Sequence, residues 1–380
     1  MHSEGELNSL KNKNKVKKYL RKFRMVIAAA IVMICLPMAF TSCQKDDGQT
    51  STTAHLRYHF ASQEEGRQLK MANTAYFDGL NQYDLDWKTW HSGATLAEYK
   101  AFAEEQIVGF TEEEKKIINS AMDFVESRCA ELGIQLPLHD EIVFIKSNMA
   151  DEGYAGGYTH KNEIYLDAYF LGLAVRASQG EFSDMDREYF LHFTHELVAH
   201  EIFHVLTRGD AQFRQRMYGL VGFMVMDHEV EFGPAVRGVL ESNPDVERYD
   251  NYAEFTIGGV KRPCILTAVY TSSYAEAVAI DSEANFFNYT EGVLIPLDEP
   301  NTMIPIEQAT DFYDIMGYNS NYLLAAEEYL ADNFSYLVAY GLDGRYDFDR
   351  DQDSLVFIPY PTPQLISSIH NMLTQYYANK

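Results

Sequence analysis

The clearest pattern in the chain is a helical one between residues 183 and 208. Phe190, Phe193 and Leu197 recur at intervals of three and four residues, which places apolar side chains on one face of a helix. Gly209 follows directly, and glycine often ends a helix. The pattern therefore predicts one long helix here.

A capping box supports this helix and one of the four other predicted helices. Ser183 and Asp186 can form a capping box at its start, as Thr111 and Glu114 can before another helical stretch. The predicted helices are "TLAEYKAFAEEQI" (95–107), "TEEEKKIINSAMDFVESRCAELG" (111–133), the segment 183–208, "LLAAEEYLADNFSYLVAYG" (323–341) and "TPQLISSIHNMLTQYY" (362–377).

Three segments have the β-branched and aromatic composition of strands. Residues 141–146 are "EIVFIK", residues 154–170 contain an extended stretch interrupted by a Lys-Asn turn, and residues 253–271 predict a hairpin around Gly258-Gly259. Helices come first, then strands, the long helix, more strands and further helices. This order predicts an α+β fold.

The N-terminus has a different character. Residues 1–42 contain a basic segment followed by an apolar run of about 16 residues, shorter than the ~20 that a membrane-spanning helix needs. Thr41 and Ser42 then precede Cys43. This arrangement is typical of a secretion signal, and it resembles a bacterial lipoprotein signal with the acidic leader of surface-exported lipoproteins in Bacteroides-like bacteria.

That resemblance implies an acylated Cys43 and a protein on the outer membrane, at the cell surface or on the periplasmic face. The polar residues 44–54 predict a flexible tether, and we expect 43–57 to link the lipid to the domain. No internal repeat or second linker follows. We therefore expect one domain over 58–380, with an inserted β-rich segment around 223–300.

Charge excludes one class of partner. The chain has 31 Lys and Arg and 56 Asp and Glu, and removing residues 1–42 would leave 23 and 54, a net charge of −31. Phosphate backbones are bound by clustered positive charge, so nucleic acid is not expected as a partner. The membrane is expected to be contacted through the N-terminal lipid only. Cys129 and Cys264 can either pair or remain two buried thiols.

Three histidines lie close together in "THELVAHEIFHVLTRGD". His200 and His204 are four residues apart, about 40° around a helix, so both imidazoles can reach one ion. His195 is about 140° from His200 and nearly opposite His204. The pair in "HEIFH" is therefore the predicted metal motif, and His192 and His195 are expected to pack, to support the ligands from behind, or to have no role at the site.

Zinc suits this pair because it accepts neutral imidazole nitrogens and needs no redox partner. Glu201 follows the first histidine, where its carboxylate can accept a proton from a water molecule that the metal has made more acidic. This is the logic of H-E-x-x-H in metallopeptidases. One catalytic zinc ion is expected.

A third protein ligand is needed, and several acids compete. Asp210 stands where metzincin-like enzymes carry theirs, but Thr207 replaces the required glycine, so Asp210 fits a helix N-cap better. Glu276 and Glu283 lack an acid four residues on. Glu328 has one, Asp332, which can orient a ligand histidine. Glu327 is the register alternative, but its own i+4 neighbour is alanine.

H-E-x-x-H on one helix and E-x-x-x-D on a later one resemble the gluzincins, the thermolysin-like zinc peptidases. The resemblance implies a zincin-like fold: a mixed sheet, a motif helix and a later helix with the third ligand. It makes His200, His204 and Glu328 metal ligands, Glu201 the general base and Asp332 the partner of a ligand histidine. It departs from the compact members because Glu328 follows His204 by 124 positions. An insertion containing the hairpin at 253–272 would have to bulge away.

The same resemblance implies a polypeptide substrate bound along a sheet edge, with Gly156, Gly157 and Tyr158 on the expected edge strand. By position, Tyr322 is the candidate for stabilising the reacting carbonyl. The sequence thus predicts a lipid-anchored zinc metalloendopeptidase. The alternative is a catalytically inactive surface lipoprotein with the same scaffold that binds host protein or glycan.

Overall fold

The computed structural model describes residues 56–182, 184–349 and 354–376. The signal segment 1–42, Cys43, the tether as far as residue 55 and the predicted cap Ser183 lie outside the described residues. The side chain of Asp186 does too, so the capping box expected there has no counterpart to compare.

Helices dominate the described part of the chain. Five predicted helices are confirmed, among them the one capped by Thr111 and Glu114 and the one that begins with Pro363. The helices are α1 (Gln63–Ala72), α2 (Thr74–Gly79), α3 (Gln82–Thr89), α4 (Leu96–Glu105), α5 (Glu112–Glu131), α6 (Ala168–Ser178), α7 (Asp184–Gly209), α8 (Ala211–Gly219), α9 (Pro234–Arg237), α10 (Tyr274–Ile280), α11 (Phe312–Met316), α12 (Ala326–Tyr340) and α13 (Pro363–Gln375).

Twelve strands are described. They are β1 (Tyr58–Phe60), β2 (Ile107–Val108), β3 (Ile142–Ser147), β4 (Gly157–His160), β5 (Glu163–Asp167), β6 (Met224–Val225), β7 (Asn251–Ile257), β8 (Val260–Tyr270), β9 (Thr290–Pro296), β10 (Ile304–Pro305), β11 (Gly344–Asp349) and β12 (Ser354–Pro359).

The first sheet is mixed. Its order is β1-β3-β5-β4, with β1, β3 and β5 parallel, β4 antiparallel to β5, and the short β2 antiparallel to β3. The predicted Lys-Asn turn joins β4 to β5, and Lys161 adopts a φ of 54° there. Because β4 has a strand partner on one side only, it is an edge of this sheet.

The second sheet is antiparallel, in the order β10-β9-β8-β7-β6. The predicted hairpin forms its centre: β7 and β8 meet at Gly258 and Gly259, whose φ angles are 60° and 81°. Two consecutive residues with positive φ are the mark of a tight hairpin turn, which glycine adopts without steric cost. The β-rich segment expected around 223–300 corresponds to β6 to β9.

The motif helix α7 packs against β4, α5, α6 and α12. Val198, Ala199, Ile202, Phe203 and Leu206 on this helix are buried in the main core. Apolar neighbours on several sides fix the rotation of α7 about its axis, and this rotation decides which way its polar residues face.

The fold class is therefore α+β with a mixed sheet, as the sequence predicted. Cys129 on α5 and Cys264 on β8 are buried free thiols, and burial raises the pKa of each to about 12. Among the described residues, none of the helices combines the length and the apolar character needed to cross a bilayer.

Candidate metal centre

His200 and His204 lie one helical turn apart on α7, with ring centroids separated by 4.9 Å. The side chain of His204 is fully buried and that of His200 is 13% exposed. The i, i+4 spacing directs both rings to the same side of the helix, as the sequence predicted. Both rings face the N-terminal turns of α12.

Glu328 meets both rings from α12. Its Oε2 atom lies 3.2 Å from Nε2 of His200 and 3.6 Å from Nε2 of His204. One ligand atom from each of the three residues lies within 4.8 Å of the others. The separation of 124 positions from His204 to Glu328 therefore does not prevent the helices that carry them from packing together.

The other nitrogen of each ring also has a carboxylate partner. Nδ1 of His200 lies 3.1 Å from Oδ1 of Asp332, and Nδ1 of His204 lies 3.0 Å from Oε1 of Glu327. Carboxylates in this position fix the tautomer and the ring orientation, so that Nε2 is left to bind a metal. Asp332 thus lies beside His200, which the sequence analysis proposed as a metal ligand.

Sequence reasoning missed the role of Glu327. Its side chain accepts hydrogen bonds from the hydroxyl groups of Thr207 and Tyr218, each at 2.5 Å, besides facing His204. The sequence disfavours Glu327 as a metal ligand, because no acid follows it four residues later. The sequence pattern gives no sign that Glu327 contacts Nδ1 of His204. The alternation of Glu327 and Glu328, one facing Nδ1 of a ring and the next facing Nε2, depends on how α12 packs against α7.

Glu201 lies beside the pair, buried against β4. Its Oε2 atom accepts a hydrogen bond of 2.7 Å from the Thr159 hydroxyl. A Cβ atom added at Gly157 would lie 2.8 Å from Oε1 of Glu201, so the glycine allows α7 and β4 to approach this closely. Burial raises the pKa of Glu201, although His200, His204 and the Thr159 hydrogen bond lower it in part.

The charges around the two rings favour a cation. Burial alone would lower the pKa of His200, but hydrogen bonds with Asp332 and Glu328 raise it well above its usual value. Burial alone would also lower the pKa of His204. The negative charge of Asp245 and the hydrogen bonds with Glu327 and Glu328 outweigh burial and raise this pKa to about 10. A divalent cation would balance these buried carboxylates while leaving the imidazoles neutral.

A buried nitrogen atom without a hydrogen-bond partner among the described residues further tests whether these residues suit a metal ion. Nε2 of His204 is buried and has no hydrogen-bond partner within the described part of the chain. An unsatisfied buried ring nitrogen is costly unless a ligand supplies the missing contact. Two imidazole nitrogens and one carboxylate oxygen, with Glu201 beside them, are a donor set that could hold a zinc ion.

A loop between α9 and β7 also reaches the centre. Asn243 donates a hydrogen bond of 2.6 Å to Oε1 of Glu328, and Oδ1 of Asp245 lies 3.8 Å from Nε2 of His204. Glu201, His204 and Asp245 form a second group of potential ligands within 4.8 Å of one another. The sequence gave no signal for this loop, which belongs to the segment that was expected to bulge away from the site.

Tyr322 lies near the pair but not against it. Its ring centroid is 6.4 Å from that of His200, and it lines a cleft together with Asn243 and Asp245. Burial raises the pKa of Tyr322 well above its usual value, and the negative charges of Glu328 and Asp245 add to the rise. Its hydroxyl group therefore keeps its proton and can donate a hydrogen bond.

The other candidate ligands lie elsewhere. Asp210 caps α8 by accepting from the backbone N–H groups of Gln212 and Phe213, as its N-cap interpretation predicted. Glu276 caps α10 with Ser273 and is exposed, and Glu283 is exposed too. None of the three belongs to a potential metal group among the described residues.

The two remaining motif-helix histidines face other neighbours. The ring of His195 stacks on Phe124 of α5 at 4.3 Å, in agreement with a packing role. Burial lowers its pKa to about 4. His192 lies 3.6 Å from Glu188 on the same helix. "HELVAH" therefore contributes one ring, that of His200, to the candidate metal centre.

The expected substrate edge is partly occupied. Gly157 and Tyr158 belong to β4, and Gly156 precedes it, with its carbonyl bound to the N–H of Asp167. The backbone N–H groups of Thr159 and Lys161, on and just after β4, donate to Asp245 at 2.7 Å and to Glu247 at 2.8 Å. The loop from α9 to β7 thus takes up part of the free edge.

Comparison of the chain with protein-family profiles, with curated proteins and with solved structures finds no match. The chemistry of the centre is therefore inferred from its own residues.

Proposed function

We propose that this chain is a zinc-dependent peptidase of the gluzincin type, with a zincin-like fold. The observation that carries the proposal is the shared approach of two imidazole Nε2 atoms to one Glu328 oxygen while Asp332 and Glu327 hold the Nδ1 atoms. The antiparallel edge strand beside the motif helix also supports it. His200, His204 and Glu328 would hold the ion.

When bound, zinc supplies Lewis-acid polarisation of a peptide carbonyl and lowers the pKa of a water molecule. Glu201 is the general base: its buried carboxylate accepts the proton of the attacking water and passes it to the leaving amine. The Thr159 hydroxyl orients this carboxylate from β4. Tyr322, whose hydroxyl retains its proton, is the candidate donor to the oxygen of the reacting carbonyl.

A peptide substrate would pair with the edge of β4, where main-chain hydrogen bonds give affinity without strict sequence selection. Asp245 and Glu247 already accept the N–H groups of Thr159 and Lys161. Pairing is therefore expected at the Gly157 end of the strand, next to Glu201. Longer pairing requires the loop that carries the two acids to move.

A second ligand set competes with the first. Glu201, His204 and Asp245 also form a compact group, but this set leaves His200 unused and makes a ligand of the proposed base. Asp245→Asn and Glu328→Gln separate the two sets by zinc content. Our proposal expects near-normal zinc in Asp245→Asn and strong loss in Glu328→Gln, and the reverse result would exclude it.

The function itself is tested with the purified chain. We expect about one equivalent of zinc by elemental analysis, its loss in His200→Ala, and cleavage of denatured casein or a peptide library that disappears in Glu201→Gln while zinc remains. A normally folded protein that does not bind zinc would refute the proposal.

The alternative is a catalytically inactive protein that uses this scaffold to bind host protein or glycan. The occupied edge of β4 favours it, because a substrate strand must compete with Asp245 and Glu247 there. Zinc binding together with equal, background-level cleavage by the wild-type and Glu201→Gln chains would support this alternative.

We further propose that the domain is anchored by lipid at Cys43, outside the cytoplasm on the outer membrane. The signal pattern of residues 1–42 supports this proposal. Labelling with a palmitate analogue should depend on Cys43, and protease treatment of intact cells would distinguish a surface from a periplasmic orientation. A Cys43→Ala chain that is labelled equally would contradict it.

A further inference from the structure

A small cleft adjoins the candidate metal centre. Gly157, Asn243, Asp245 and Tyr322 line it and also belong to, or border, the centre. A ligand positioned at the histidine pair would therefore extend a neighbouring group into this cleft.

Glu241 is a buried acidic residue of this cleft that does not belong to the candidate metal centre. The residue lines the cleft, is 4% exposed, and its Oε2 atom is buried with no hydrogen-bond donor among the described residues. Its backbone N–H donates to the carbonyl of Ala268 on β8 at 3.0 Å, which anchors the chain at this point. A buried carboxylate oxygen without a donor is costly, so a ligand that donates there would be bound favourably.

The surrounding charges are not balanced. Among the described residues, the buried carboxylates Asp84, Asp151, Glu152 and Glu241 lie near the buried lysines Lys70 and Lys88.

Both lysines are committed to other groups. Lys70 pairs with Asp151 at 2.7 Å and Lys88 pairs with Glu152. Asp84 receives hydrogen bonds from the backbone and hydroxyl of Ser242. Glu241 is thus the carboxylate of this group with neither a committed cation nor a hydrogen bond, and a positive ligand group would balance it.

The cleft walls determine which kind of cation fits. Phe286, Phe287 and Leu324 line the same cleft as Glu241 and give it apolar surface. Apolar walls with one carboxylate suit a group that combines an aliphatic or peptide stem with a charged head. We propose that this cleft binds an ammonium or guanidinium group of a peptide ligand against the Glu241 carboxylate.

The electrostatics agree with this geometry. Burial raises the pKa of Glu241 to about 8, and the positive charge of Lys88 opposes the rise. The groups that act on it are Lys88 and Asp84 from α3, Glu152 before β4 and Glu328 from α12. A cation bound beside this carboxyl group would oppose the effect of burial and favour the ionised form.

Two sources offer this chemistry, the side chain of lysine or arginine and a free peptide N-terminus. The placement of the ligand beside the scissile bond depends on the proposed peptidase function, but the recognition of the cation does not. Binding is therefore measured without turnover, on the full Glu201→Gln chain with and without zinc, by isothermal titration calorimetry.

The probes are pentapeptide amides of alanine. The first set is N-acetylated, so that its only positive charge is a single lysine placed at each position in turn; norleucine replaces this lysine in the uncharged controls. The second set contains norleucine in place of lysine and has a free N-terminus as its only positive charge. We expect one charged source to bind at least about tenfold more tightly than the uncharged peptide, consistent with a desolvated charge pair. Equal affinities for all peptides would overturn the proposal.

Variants then assign the effect to Glu241. Adding Glu241→Gln should abolish the preference for the charged peptide, whereas Glu254→Gln, which removes an exposed carboxylate on β7, should preserve it. A preference that survives Glu241→Gln would refute the assignment. If Glu241→Gln fails to fold, the comparison of lysine with norleucine on the Glu201→Gln chain still decides whether the cleft selects a cation. A preference for cationic peptides in a chain that does not bind zinc would reject the peptidase and retain the cleft.

Discussion

Nδ1 of His200 lies 3.1 Å from Oδ1 of Asp332, one helical turn beyond Glu328 on α12. Asp332 in turn accepts a hydrogen bond from the Ser320 hydroxyl. A single helix therefore presents one carboxylate to Nε2 of the ring and a second to Nδ1.

Asp332→Asn should weaken zinc binding about 10- to 100-fold, the usual effect of losing a carboxylate behind a ligand histidine. Zinc affinity is measured by competition with a chromophoric chelator. Asp314→Asn, which alters an exposed aspartate on α11, serves as the control. Equal affinity in the two variants would show that Asp332 does not orient His200.

Glu327→Gln and Glu328→Gln should differ, although the residues are adjacent. Glu328→Gln removes a proposed ligand and should lose zinc almost completely. Glu327→Gln should retain zinc with about tenfold lower affinity and lower the free energy of unfolding by about 1–3 kcal/mol, because Thr207 and Tyr218 donate to this buried carboxylate. Chelator competition and urea denaturation measure the two effects. A greater zinc loss in Glu327→Gln would contradict the assignment.

Thr159→Val should lower kcat by about tenfold and leave zinc content and KM nearly unchanged, because the hydroxyl orients the base Glu201 and does not contact the ion. Steady-state kinetics on a peptide substrate measure both constants. Thr159→Ser retains the hydroxyl group and should restore kcat. Failure of serine to restore it would indicate a packing effect.

Gly157→Ala should disturb the junction of β4 and α7. The added Cβ atom would lie 2.8 Å from Oε1 of Glu201 and 3.1 Å from the carbonyl oxygen of Tyr165. We expect the free energy of unfolding to fall by about 1–3 kcal/mol, together with a loss of activity.

Gly156→Ala is the matched control for this substitution. The nearest atom to its added Cβ would be Cδ2 of Leu197 at 3.6 Å, an ordinary van der Waals contact. Urea denaturation of both variants tests the difference. Similar stabilities would show that α7 and β4 can separate without cost.

Asp167 should make stability depend on pH. Burial raises its pKa to about 7, although the N–H groups of Tyr169 and Phe170 lower it in part. The unfolded value is near 4, so between about pH 4 and 7 the folded state binds more protons at this site. The contribution of Asp167 to stability is therefore present below pH 4 and is lost as the pH rises to 7.

Asp167→Asn tests this dependence, because asparagine can still cap α6 but does not titrate in this range. Urea denaturation across pH 4–8 should show a smaller decline in stability with rising pH for the variant than for the wild type. Parallel pH profiles would assign the decline to other groups.

Much of the local structure followed from the sequence alone. Thr111, Glu114 and Gly133 bounded α5, and Gly258-Gly259 identified the hairpin, because caps and turns depend on residues that are neighbours in the chain. The i, i+4 spacing likewise selected His200 and His204 over His195. The α+β class followed from the order of these elements.

Contacts between remote segments required the tertiary structure. The pairing of Glu327 with His204 and the approach of Asn243 and Asp245 to the centre join segments with no periodic relation in sequence. The lack of a hydrogen-bond donor for Oε2 of Glu241 within the described residues likewise depends on how remote segments pack. The sequence determined which residues share a helix face. Which faces meet was decided by the packing of α7, α12 and the loop before β7, because burial of apolar surface acts between elements irrespective of their separation along the chain.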